Sequence, residues 1–176
     1  MARFTVYNSI VTEEKLKAVN PDNKQLGDEW IDYLRSIDRS QKTLVSYQSD
    51  INIFWCWNAE YNNNKFFPKL TKREIARFQN HAINEWHWSP SRVRRVKSCL
   101  SSFSTYIENI LDEEEEFKGF RSIINKIENP AKEAVREKTV LPDEQVDYLL
   151  NTLVERKEYE KACAVAIAAY SGMRKS

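Results

Sequence analysis

The residues best suited to chemistry here are arginines set among small hydroxyl residues. In "WSPSRVRRVKSCLSSFSTYIENIL", Arg94, Arg95, Ser98, Ser102 and Thr105 fall on one face of a helix. Ser91 opens that stretch, and Arg92 and Lys97 flank the face. A guanidinium donates to phosphates or guanine edges, and Ser or Thr lets a backbone come close while still offering a hydrogen bond. The plain alternative is a solvated polar face, the usual role of such a stripe. A second set, Lys42, Thr43 and Ser46, stands at the start of the helix beginning "SQKTLVSYQSD". Unpaired backbone N–H groups there attract phosphate, or else Ser40 or Thr43 is simply a cap. The third candidate is Arg174 in "AIAAYSGMRKS". A helix of small residues runs to Gly172, expected as a left-handed C-cap, and Met173 can anchor the turn. A guanidinium held so rigidly suits phosphate-ester chemistry, because it binds more strongly as charge builds on the non-bridging oxygens. Otherwise Arg174 only complements the helix C-terminus or meets solvent.

Other residues carry less. Trp55, Trp57, Trp86 and Trp88 could stack bases, but a spacing of two keeps the members of each pair off a common helix face. At least one of each pair is expected in the core. His81 and His87 have no cysteine or acid at ligand spacing, so no metal site is expected. The run "DEEEE" reads as a solvated helix end rather than a chelator. Cys56, Cys99 and Cys163 lie far apart, with no CxxC and no signal-peptide pattern, which points to a reducing cytoplasm. No apolar stretch approaches the roughly 18 residues of a membrane span.

These residues need helices to position them. The chain has 176 residues, 41% of them hydrophobic and 12% aromatic, enough to bury a core. Three glycines and five prolines argue against an all-β fold. The net charge is +1 but segregated: Lys69 to Lys97 holds eight Lys/Arg against two Glu, whereas Glu108 to Glu116 holds six acids and no base. A lead-in of residues 1–23 includes a short helix over "TEEKLKAV" and a possible strand at 3–7. The first main helix carries Leu26, Trp30, Tyr33, Leu34 and Ile37 at helical spacing. The second carries Leu44, Tyr47, Ile51, Phe54, Asn58 and Tyr61 on one stripe. "NNNKFFPKL" reads as a loop. Thr71 and Glu74 form a capping box for the third helix, which carries Ile75, Phe78 and Ile83. Ser89 caps the fourth, with Pro90 at its first position. Its apolar face is Val93, Val96, Leu100, Phe103, Ile107 and Ile110. "AKEAVREK" reads as a linker, and two more helices follow, one starting near Pro142.

Taken in order, these features resemble a tyrosine recombinase of the phage-integrase family. "AYSGMRKS" is similar to the family's first catalytic-arginine motif, with Ser171 where Thr is usual. "LPDEQVDYLL" resembles the opening of its catalytic domain, and "ENPAKEAVREK" its interdomain linker. "SQKTLVSYQSDINIFWCW" and "SPSRVRRVKSCLSSFSTYI" resemble the second and fourth helices of its core-binding domain. The likeness covers about residues 24–176. It implies an all-α chain: a four-helix SAM-like core-binding domain at 24–128, a linker at 129–141, and a truncated start of the catalytic domain at 142–176. It implies that the second and fourth helices lie near the major groove of double-stranded DNA at a recombination site. Arg174 would grip the scissile phosphate. The remaining catalytic groups would follow Ser176, so Tyr148 and Tyr170 do not stand in the nucleophile's place.

The expectation is therefore a DNA-binding N-terminal fragment of a site-specific recombinase. Its parent would act through a 3′-phosphotyrosyl link, as a tetramer on DNA, with no metal or nucleotide cofactor. The fragment would be monomeric, cytoplasmic, unattached to membrane and inactive alone. Arg94 and Arg95 are expected to be replaceable with little loss of stability, as surface residues are. A non-catalytic DNA-binding regulator or accessory protein is the alternative, and a helical protein–protein adaptor is a third class.

Overall fold

Five helices among the described residues begin where the sequence supplies a side-chain cap. The computed structural model describes residues 9–131 and 141–171. Thr12 Oγ1 accepts from Lys15 N and opens α1 (Glu13–Ala18), and Asn20 Oδ1 accepts from Asp22 N and opens α2 (Pro21–Ser36). Ser40 caps α3 (Gln41–Tyr61). Thr71 and Glu74 close a reciprocal capping box on α4 (Lys72–Asn84). Ser89 caps α5 (Pro90–Ile110), with Pro90 in the first turn, where a missing N–H costs nothing. Short 3₁₀ turns lie at Phe67–Lys69 and Ile124–Lys126. Two further helices follow, α6 (Asp143–Glu155) and α7 (Tyr159–Ser171). The described residues are thus all-α, and none of their helices is long and apolar enough to cross a membrane.

The chain divides into two compact units, Met1–Glu133 and Ala134–Ser176. In the first, α3 packs against α1, α2 and α5, and α5 also packs against α2 and α4. The centre is aromatic. Trp30 stacks on Tyr47 at 5.4 Å and meets Phe103 edge-on at 5.3 Å. Phe54 meets Phe78, and Phe67 meets Phe103, at 5.1 and 4.7 Å. Pairs of this kind add about 0.5–1.5 kcal/mol each beyond burial. Gly27 lets α2 approach α3, since a Cβ there would stand 3.4 Å from Trp55 Nε1. In the second unit, α6 and α7 pack on each other.

Several expectations need correction. α3 is not one stripe: Ile53, Trp55, Cys56 and Trp57 are buried along with Ile51, Phe54 and Asn58, because neighbouring helices surround its second half. Ile37, Tyr61 and Ile110, read as apolar-face residues, are exposed near helix ends. The "NNNKFF" loop is more than a connection. Asn23 and Asn58 both donate to the Lys65 carbonyl, at 3.0 and 2.7 Å, and Asn23 Oδ1 accepts from Phe67 N. Asn63 and Asn64 adopt positive φ, which Asn tolerates better than most residues. The possible strand at 3–7, most of the charged linker at 132–140, and the cap at Gly172 lie outside the described residues.

Candidate nucleic-acid interface

The basic end of α5 is organised around a buried acid. Asp50 is fully buried on α3, one turn from Tyr47 and Phe54 on the face turned to the core. A carboxylate so placed needs partners, because removal from water is otherwise costly. Arg95 supplies a two-point bond, Nε to Oδ2 at 2.9 Å and Nη2 to Oδ1 at 2.6 Å. Arg92 Nη2 stands 3.2 Å from Oδ1, and its guanidinium lies 5.0 Å over the Trp88 ring. Burial lowers the Arg92 pKa, whereas the hydrogen bond to Asp50 raises that of Arg95. Both remain cations near neutral pH. The side chain of Arg95 is still 50% exposed.

The next two cations hold the C-terminal stretch of the same unit. Arg94 Nη2 donates to the Pro130 carbonyl and Lys97 Nζ to that of Ile127. Lys97 is buried, and burial lowers its pKa. Ser98 Oγ donates to Arg94 O at 3.0 Å. The stripe from Arg94 to Thr105 therefore lines a cleft of about 490 Å³, bounded also by Tyr33, Arg39 and Asn125. Arg95, Ser98 and Thr105 are exposed on this face, and Arg94 and Ser102 are half-buried. Arg95 is an exposed residue, as expected, but its bond to a buried carboxylate argues that replacing it costs stability.

The start of α3 leads along one helix stripe to Asp50. Thr43, Ser46 and Asp50 fall at i, i+3 and i+7, on one stripe. Ser40 Oγ lies 2.9 Å from Thr43 Oγ1, so the capping reading holds for Ser40. Lys42 is exposed, Thr43 and Ser46 half-buried, and Ser91 and Ser98 exposed. Asp50, which the sequence reading did not single out, joins Arg92 and Arg95 of α5 to the helix that carries Thr43 and Ser46. Its signal was present: an acid between Tyr47 and Phe54 on an apolar stripe.

Other cations and rings lie elsewhere. Lys72, Arg73 and Arg77 are exposed on α4, so the basic segment is split between two helices. Arg73 and Arg77 border a separate cleft with Trp57 and His81. Trp55, Trp57 and Trp88 are buried and Trp86 is half-buried, so these rings serve the core. Arg174 lies outside the described residues. Tyr170 donates to Asp147 Oδ1 at 2.8 Å, and that bond raises the phenol's pKa, the reverse of nucleophile activation. Among the described residues no cluster of His, Cys, Asp or Glu could hold a metal ion.

Comparison with known proteins gives two findings. The family described as phage integrase, N-terminal SAM-like domain, matches residues 26–114. The SPbeta prophage-derived recombinase-like protein YomM of Bacillus subtilis (strain 168) is 26% identical over 167 residues, covering 94% of this chain and 49% of that protein. The chain therefore spans about half the length of that relative. No solved structure matches.

Proposed function

From the premise that this chain belongs to the phage integrase family, matched through its N-terminal SAM-like domain, we propose that its first unit binds double-stranded DNA. The basic end of α5 and the start of α3 carry the contact. The observation that supports this most is the clustering of Arg92 and Arg95 around buried Asp50, beside Ser91 and Ser98. Fixed guanidiniums next to small hydroxyl residues suit a phosphate backbone. Thr43 and Ser46 share the Asp50 stripe, and Lys42 adds a cation at the helix N-terminus.

In the parent protein, this unit would be the core-binding part of a tyrosine recombinase. Arg174 would stabilise charge on the scissile phosphate. A tyrosine beyond Ser176 would attack it, giving a 3′-phosphotyrosyl link that strand exchange later reverses, within a tetramer on DNA. The chemistry keeps phosphodiester energy in the covalent link, so it calls for no metal or nucleotide cofactor. The chain of residues 1–176 would bind and not cut.

The test is fluorescence anisotropy of a labelled duplex against residues 1–176 across salt concentrations. Binding should weaken by about 0.9 log units per phosphate contact for each decade of salt. An affinity flat between low and moderate salt contradicts the proposal.

A further inference from the structure

Asp50 is an acid placed where a DNA-binding face should carry none. By net charge it weakens attraction for phosphate. Its geometry argues the opposite. Arg92 and Arg95 are one turn apart on α5, and two guanidiniums so close repel each other; Arg95 indeed lowers the Arg92 pKa. Without a counter-charge their long stems would swing apart into solvent. The Asp50 carboxylate takes Nε and Nη2 of Arg95 and so sets the plane of that fork. The same oxygen and the Trp88 ring set the position of Arg92. The remaining Nη1 donors of Arg95 have no bond among the described residues, and half of its side-chain surface meets solvent. A fork already fixed loses less conformational freedom when it meets a phosphate.

We infer that Asp50 is a positioning residue for the DNA-backbone contact, holding Arg92 and Arg95 at the separation and orientation in which they take phosphate oxygens. This rests on the DNA-binding reading of α5. The deciding variant is Asp50→Asn in residues 1–176, titrated with a fluorescein-labelled duplex of about 20 base pairs. Melting of the variant is followed in parallel. Asp50→Asn makes the protein more positive, so charge alone calls for tighter binding. Positioning calls for the reverse: about tenfold weaker binding by a folded variant, with the salt slope reduced by about one contact. Equal or tighter binding by folded Asp50→Asn overturns the inference and leaves the DNA reading standing. Failure of the unsubstituted chain to bind at low salt overturns the DNA reading itself, and the inference with it. Should Asp50→Asn not fold, the Arg Nε–H resonances of the unsubstituted chain answer instead. Shifts at Arg92 and Arg95 on adding duplex, with Arg95 Nε–H still protected from exchange, support the inference. Loss of that protection, with Arg95 leaving Asp50 to reach DNA, overturns it.

Discussion

His81 packs against Tyr61 at 4.5 Å and meets Trp86 edge-on at 4.9 Å, and its buried Nε2 has no hydrogen-bond partner. Burial lowers its pKa below the usual 6.5, and Glu85 and Glu60 only partly oppose this. The folded state therefore favours the neutral ring. As pH falls below about 6.5, the unfolded chain takes up the proton first. The unfolded state then binds more protons, so stability declines as pH falls through that window and is level above it. Glu60 and Glu74, lowered from the ordinary glutamate value, titrate further down. Melting temperatures of the unsubstituted chain should fall between about pH 7 and pH 5. His81→Phe should flatten that slope, and an unchanged slope in the variant contradicts the assignment.

At the scale of elements, the pair α3–α5 depends on one cluster. Arg95→Glu sets a second carboxylate beside buried Asp50 and removes its two-point partner. Leaving a buried carboxylate beside a second acid and without its two-point partner is strongly unfavourable, even with Arg92 still alongside. Arg94→Glu gives up only a charged hydrogen bond to a carbonyl, about 1.5–3 kcal/mol. Urea denaturation of the two variants should rank Arg95→Glu clearly below Arg94→Glu, and equal midpoints contradict the described geometry. The elements themselves were legible because their signals are local: Thr71 with Glu74, Ser89 with Pro90, and apolar residues every three or four positions on α5. The burial of Trp55 and Trp57 together was not legible, because it comes from helices distant in sequence wrapping α3. Similarly, the α5 cations could be placed on their helix from spacing alone. Their partners could not: Asp50 lies 45 residues from Arg95, and Pro130 lies 36 from Arg94. The Asn23–Asn58–Lys65 bonds escaped for the same reason, since an Asn-rich loop has the same composition with or without them.

At the scale of the whole molecule, the chain pairs a well-buried first unit with a sparsely buried second. Within α6 and α7, Tyr148 is 75% exposed, and Ala162 is the buried residue among those described. The role proposed for Arg174 is one to test in the longer parent protein. In that parent, Arg174→Ala should leave site binding nearly intact while strand cleavage falls by about 10²–10³, as when one transition-state donor is lost. Equal cleavage on a nicked suicide substrate contradicts the role given to Arg174. The central claim, however, concerns where DNA sits on the first unit. Amide shift mapping of residues 1–176 with a short duplex at low salt tests it most directly. Shifts should concentrate at residues 40–50 and 89–102, the start of α3 and the basic half of α5. Shifts concentrated on α4 around Arg73 and Arg77, or no shifts at all, would contradict the account.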